Sequence, residues 1–240
     1  MLALKSIYNY TIIIFYMIGA NFKRLKLERL RKQGQIEQAN EYLNKNVLKW
    51  SNFLIKLLKI NIEMQGMENI PDETFLLVSN HQSDFDIPIV MSSLNKTLGF
   101  VAKKEMESIP FISYWMKQIE CIFMDRSDIR KAVKSINEGV DKLKNGKSMS
   151  IFPEGTRSRG DKMGEFKKGS LKLAMKSNVP ILPLSIDGSY KIMESNHGWM
   201  LKSSVNVKVK IMEPIYMDNL NKEDKNNIAE IVKEIIYKNK

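Results

Sequence analysis

Six short apolar runs, each four to seven residues long, alternate with longer helical segments between residues 75 and 240. The runs cover residues 75–79, 98–102, 121–124, 148–152, 181–186 and 205–211. Runs of that length, rich in Val, Ile, Leu and Phe, fit strands that are largely buried. The stretches between them predict helices through 88–91 and over 109–119, 129–144 and 168–177, with a terminal helix over 222–237. Asn145-Gly146 stops the third of these. Residues 205–211 alternate Val and Ile with Asn and Lys, as a half-exposed strand does. Such alternation specifies an α/β fold, a mostly parallel sheet flanked by helices.

Ahead of this pattern lie two segments with affinity for a bilayer. Residues 7–20 are strongly apolar but carry Asn9, Thr11 and three tyrosines, and fall short of the roughly 20 residues a spanning helix needs. Gly19-Ala20 resembles a signal-peptide cleavage site, yet Lys23-Arg24 follows, and basic residues there suit a cytoplasmic flank. The segment is therefore expected to be an uncleaved, half-inserted or monotopic anchor, with a buried helix of the soluble core as the alternative. Further on, Val47, Trp50, Phe53, Leu54, Leu57 and Leu58 recur at helical spacing with Lys45, Lys49, Lys56 and Lys59 off the stripe. That pattern suits a helix lying in the headgroup plane, the plainer alternative being packing on its own domain. Residues 1–60 are thus expected to form an N-terminal membrane-associating helical element, and residues 61–240 the main domain.

A net charge of +11 leaves three partners open: nucleic acid, an anionic membrane surface on the cytoplasmic face, or a phosphorylated substrate. No Arg-clustered, zinc-ligand or aromatic strand module is present, which ranks nucleic acid last. The single Cys121 excludes an intramolecular disulfide and sits in an apolar run suited to core packing. Two histidines far apart in sequence and one cysteine imply neither a metal site nor a tightly held cofactor.

Polar residues follow the apolar runs. His81 comes after 75–79, Arg126 after 121–124 and Glu154 after 148–152, and in open α/β sheets ligands bind beyond the carboxyl ends of strands. Five residues separate His81 from Asp86, and Pro88 biases Ile87 away from helical geometry, so the pair belongs to a turn leading into a helix. There Asp86 reaches an imidazole nitrogen, caps the helix, or does both. No nucleophile elbow accompanies them, so the nucleophile is expected from the substrate, with His81 as general base. In the turn at 152–158 Gly155 permits positive φ, and Arg157 and Arg126 are forked donors suited to phosphate. Lys103, Lys104, Arg159, Lys167 and Lys168 add positive potential. Glu154 is open to two roles, substrate contact or support of the turn.

Asn80-His81-Gln82-Ser83-Asp84-Phe85-Asp86 resembles the NHxSxxD motif of the 1-acylglycerol-3-phosphate acyltransferase family. Ile122-Phe123-Met124-Asp125-Arg126 resembles its FxxR block, residues 152–158 its FPEGTRS block, and Val179-Pro180-Ile181-Leu182-Pro183 its proline-centred apolar segment. The resemblance spans roughly residues 75–190 and implies acyl transfer from acyl carrier protein or acyl-coenzyme A to lysophosphatidate. His81 and Asp86 would be the catalytic dyad. Phe123, Arg126, Glu154 and Gly155, with Thr156, Arg157 and Lys104 nearby, would bind the acceptor, and Pro180 would lie toward the acyl donor. Relatives often carry glycines where this chain has Ser113 and Glu120. Another lysolipid or amino-lipid acceptor is the runner-up, ahead of a thioester hydrolase and a non-enzymatic membrane-binding protein.

Overall fold

The computed structural model describes residues 1–240. Two long helices lead, α1 (Leu2–Lys32) and α2 (Ile36–Leu57), followed by β1 (Asn61–Gln65), β2 (Leu76–Ser79), α3 (Asp86–Leu94), β3 (Gly99–Lys103) and α4 (Ile112–Gln118). The chain continues through β4 (Ile122–Met124), α5 (Ile129–Lys144), β5 (Met149–Ile151), α6 (Lys172–Ser177), β6 (Ile181–Asp187), β7 (Asn206–Ile211) and α7 (Lys222–Lys238).

Seven strands form one sheet in the order β1-β7-β6-β2-β5-β3-β4. Helical crossovers link β2, β3, β4, β5 and β6, and a strand that returns through a helix re-enters parallel. These five strands run parallel, so their carboxyl ends share one edge. No α-helix separates β6 from β7, and β7 runs antiparallel to β6 and parallel to β1. Strand β1 escaped the sequence reading. It is an edge strand with Asn61, Glu63 and Gln65 exposed, too polar to read as a buried run.

Both sheet faces are covered, which explains the unbroken apolar runs. Along β2, Leu77 and the preceding Phe75 pack into the cluster that includes α1, α2 and α3, while Leu76 and Val78 pack into the cluster with α5, α6 and α7. Cys121 is buried there, and burial pushes its thiol up to about 12, which leaves it unreactive at neutral pH.

The two leading helices divide their roles differently from the sequence reading. Along α2 and the residue after it, Val47, Leu54 and Leu58 of that stripe are buried and Trp50, Phe53 and Leu57 half-buried, so the stripe packs largely on its own domain. In α1 the polarity is inverted. Ser6 and Asn9 point inward and are buried, while Leu4, Ile7, Phe15, Ile18, Phe22 and Leu25 form an exposed stripe, with Phe15 and Phe22 each 70% exposed. An apolar patch of that extent marks a membrane- or partner-facing surface. The helix extends well beyond residues 7–20 and is long and apolar enough to cross a bilayer.

Candidate active site

Beyond the shared carboxyl edge, β2 delivers the turn Asn80–Asp86, β4 delivers Arg126, β5 delivers the turn Phe152–Arg157, and β6 delivers Gly188 and Ser189. Each residue of the first turn has a mechanical reason to be there. The Asn80 amide donates to Ile186 O and accepts from Ile186 N–H, both at 2.8 Å, extending the β2–β6 pairing by side chain. Gln82 Oε1 accepts from Gly188 N–H at 3.0 Å, and Ser83 Oγ accepts from Phe85 N–H at 3.1 Å.

His81 and Asp86 meet at the centre. The imidazole Nδ1 lies 2.7 Å from Asp86 Oδ2, and the same oxygen accepts N–H bonds from Gln82 at 2.7 Å and Ser83 at 2.9 Å. Asp86 Oδ1 accepts the Ser189 hydroxyl at 2.5 Å. The residue has no solvent exposure, so a carboxylate there needs these four donors. An acceptor that already takes two N–H groups favours the tautomer with the proton on Nδ1, leaving Nε2 as the basic nitrogen. Capping is not its task, since its partners precede the helix. The imidazole stacks on Phe152, with ring centroids 4.1 Å apart and planes at 12°. That packing fixes the ring plane that the Asp86 bond alone leaves free to tilt.

Glu154 holds the turn. Its Oε1 accepts His81 N–H and its Oε2 accepts Gly164 N–H, both at 2.7 Å, and the residue is 5% exposed. With each oxygen taking one backbone N–H, its evident task is to support the turn. Burial pushes its carboxyl above the usual range, with the two N–H bonds opposing. Ser158 N–H donates to His81 O at 2.8 Å, a second tie between the two motif turns.

Two cations stand beside this pair without a carboxylate partner. Arg126 donates to Gly155 O, and neither Arg126 nor Lys167 forms an ion pair. A Cβ placed on Gly155, whose φ is +71°, would come within 2.9 Å of Lys167 Nζ and 3.1 Å of Arg126 Nη1. The glycine thus serves both its left-handed turn and the approach of the two cations. Partial burial pushes the Arg126 guanidinium down, though it stays charged. Two neighbouring positive groups that form no ion pair, with Glu105 acting on Arg126 only at a distance, make a ready anion site.

The remaining expected residues fall elsewhere. Arg157 is already paired with Asp84 and with Glu194 Oε1 at 3.2 Å, so it is neutralised where a phosphate ligand would need to be free. Lys104 lies on an exposed pair with Asp125 at 3.4 Å. Ser127 hydroxyl and N–H bonds hold that carboxyl down at about 2. Phe123 is half-buried in β4 beneath the Lys117 ammonium, and Thr156 is exposed in the turn. Pro180 sits at the opposite edge. It precedes β6 and its carbonyl accepts Leu76 N–H at the start of β2, whereas His81 follows the other end of that strand. Pro180 is thus placed at the amino end of the parallel strands, away from His81. Sequence reasoning missed Ser189 and Glu194. Neither lies in a motif, and only the β2–β6 pairing brings their segment to the turn.

A family model described as Acyltransferase matches residues 61–187, which span the groups just described except Gly188, Ser189 and Glu194. A Mycoplasma pneumoniae protein named a probable 1-acyl-sn-glycerol-3-phosphate acyltransferase is 33% identical over 77% of this chain and 73% of its own length. Its namesake in Mycoplasma genitalium is 35% identical over 76% of this chain and 69% of its own length. The crystal structure of the 1-acyl-sn-glycerophosphate (LPA) acyltransferase PlsC from Thermotoga maritima superposes with a TM-score of 0.85 at 32% identity, covering 99% of this chain and 93% of that one. With motif, site geometry and whole-chain fold in agreement, this chain belongs to the 1-acyl-sn-glycerol-3-phosphate acyltransferase family and is an acyltransferase of phospholipid biosynthesis.

Proposed function

We propose that the chain transfers a fatty acyl group from a thioester, carried by acyl carrier protein or coenzyme A, to the free hydroxyl of 1-acylglycerol-3-phosphate, giving phosphatidate. The observation that carries this reading is a His81–Asp86 pair next to two unpaired cations, Arg126 and Lys167. His81 Nε2 takes the hydroxyl proton as the oxygen attacks the thioester carbonyl. The C–O bond forms, the C–S bond breaks from the tetrahedral oxyanion, and the imidazolium returns its proton to the departing thiolate. Asp86 fixes the tautomer and stabilises the imidazolium between those steps. The thioester itself supplies the activation, so the reaction asks for no metal or prosthetic group.

The acceptor phosphate would lie on Arg126 and Lys167. Arg126→Lys keeps the charge but loses the fork, and is expected to raise the acceptor KM roughly tenfold with little change in kcat. Steady-state kinetics with lysophosphatidate varied at saturating donor would show this, and an effect confined to the donor KM would contradict the assignment.

The exposed stripe of α1, followed by Lys23, Arg24, Lys26 and Arg29, supports residence on the cytoplasmic face of the cell membrane, half-inserted or lying on it. Phe15→Glu with Phe22→Glu is expected to reduce the fraction that floats with anionic vesicles at least threefold, since those side chains make no core contact. Undiminished flotation would place the membrane contact elsewhere.

The decisive experiment measures thiol release and lipid product together, with acyl-coenzyme A or acyl carrier protein as donor and His81→Ala alongside. Acceptor-dependent thiol release with phosphatidate formed, lost in the variant, is expected. Thiol release without acceptor would indicate a hydrolase.

A further inference from the structure

We propose that the segment from Ser189 to Leu201 is a brace that fixes the catalytic turn against helix α1, with Ser189 and Glu194 as positioning residues. At one end the Ser189 hydroxyl donates to Asp86 Oδ1 at 2.5 Å. In the middle Glu194 Oε1 accepts Asp84 N–H at 3.0 Å and the Arg157 guanidinium at 3.2 Å, its side chain only 2% exposed. At the other end Tyr10 of α1 donates its hydroxyl to Trp199 O at 2.7 Å, and Leu201 N–H donates to Ser6 Oγ of α1 at 2.8 Å. One segment thus touches the catalytic carboxylate, the motif turns on both sides of the site, and the helix that carries the exposed apolar stripe.

The segment is built to transmit position. It closes on itself through Lys202 N–H to Ile192 O at 2.8 Å, Ser195 N–H to Tyr190 O at 3.0 Å and the Asn196 amide to Lys191 O at 2.8 Å. Ile192 and Leu201 are fully buried in the core shared with α1 and α2. A closed loop with buried anchors moves as a unit and does not absorb a shift at one end. The inverted polarity of α1 then gains a purpose. Ser6 and Tyr10 meet the brace on the inner side, while the outer side is left to lipid. How α1 seats is therefore felt at Asp86, and through it at the His81 ring.

The test uses full-length protein on phosphatidylglycerol-containing vesicles, with Ser189→Ala, Glu194→Gln and the double variant Ser6→Ala, Tyr10→Phe. A lost hydrogen bond to a carboxylate predicts a kcat about tenfold lower for Ser189→Ala at unchanged acceptor KM. Glu194→Gln keeps an acceptor for Asp84 N–H but loses its charge toward Arg157, and the expected fall is about threefold. The α1 variant is expected to lose at least threefold in kcat per folded molecule at an unchanged vesicle-bound fraction, with Tm lowered by the stranded Leu201 N–H but the protein folded at the assay temperature. The kinetic half of the test rests on the acyl-transfer reading, whereas a second half does not. The chain has two histidines, so the low-field Nδ1–H proton resonance of His81 is readily told from that of His197, and it is expected to shift or weaken in the Ser189 and α1 variants. An unchanged resonance and kcat in the α1 variant would overturn the brace. So would losses fully accounted for by a smaller folded or vesicle-bound fraction.

Discussion

Asparagine at position 86 is expected to lower kcat about 10²–10³-fold, and alanine there about 10⁴-fold, with Tm lowered only by alanine. The difference between the two follows from what surrounds the carboxylate. Gln82 N–H and Ser83 N–H both point at Oδ2, so an asparagine would seat its oxygen there and turn its NH₂ toward the Ser189 hydroxyl, which can rotate to accept. The oxygen would still accept His81 Nδ1–H, and Nε2 would remain the basic nitrogen. What disappears is the charge that stabilises the imidazolium formed as the hydroxyl proton is taken. Alanine removes the orienting bond as well, and strands two buried N–H groups and a hydroxyl, at roughly 1–3 kcal/mol for each unmet group. Steady-state kinetics of both variants beside thermal unfolding would check the order. Equal losses for asparagine and alanine would mean that the charge alone carries the effect, and a loss confined to alanine that the orienting bond does.

The same turn shows what a sequence can and cannot announce. Helix α3 opens at Asp86 itself and takes in Ile87 and Pro88, since a proline in the first turn gives up an N–H that has no intrahelical partner. The reach of Asp86 to the imidazole still follows from a five-residue spacing, a local fact. The helix over 129–144 was legible for the same reason, because Asp128 caps it through the N–H groups of Arg130 and Lys131 and Asn145-Gly146 follows its last turn. The 109–119 segment was legible only in part, since Phe111 takes a left-handed φ of 64° and the regular helix begins at Ile112. At Glu120 φ is 65°, the backbone region that glycine enters most readily.

What failed to show were consequences of distance. An amphipathic stripe states that a face is covered but not by what, and so α2 read as a membrane helix although its stripe meets the core. An arginine beside a glycine turn reads as a phosphate ligand until its own neighbours are known. Arg157 meets Asp84 and Glu194 across 73 and 37 positions of chain, and no pattern in the sequence records those meetings. Lys167 is the reverse case. It was one of several lysines adding diffuse potential until the fold set it, with Arg126, against Gly155.

Glu154→Gln is expected to reduce kcat about 10²-fold while leaving the protein folded, although glutamine is the closest neutral match in shape. Each carboxylate oxygen accepts one backbone N–H, from His81 and from Gly164, at equal distances of 2.7 Å. Glutamine has one oxygen, so whichever way its amide lies, an NH₂ faces an N–H in a site that is 5% exposed. Either the His81 backbone shifts or the Gly164 loop does, and the first displaces the base directly. Gly164 has little room to yield, since an added Cβ there would lie 2.9 Å from Glu154 Oε2. The stability effect carries a pH signature of its own. Burial raises the Glu154 carboxyl above its unfolded value, so the folded state binds more protons just above the ordinary glutamate range. Wild-type stability from this group is greatest below that range and declines as pH rises through the raised value. Glutamine does not titrate, so its Tm deficit is expected to be largest near pH 4 and to narrow toward neutrality, while the loss of kcat persists. Thermal unfolding of both proteins across that span, paired with kcat at neutral pH, separates the two effects. A deficit that widens with pH would mean that Glu154 is held as a stabilised carboxylate, and that burial does not dominate its ionisation.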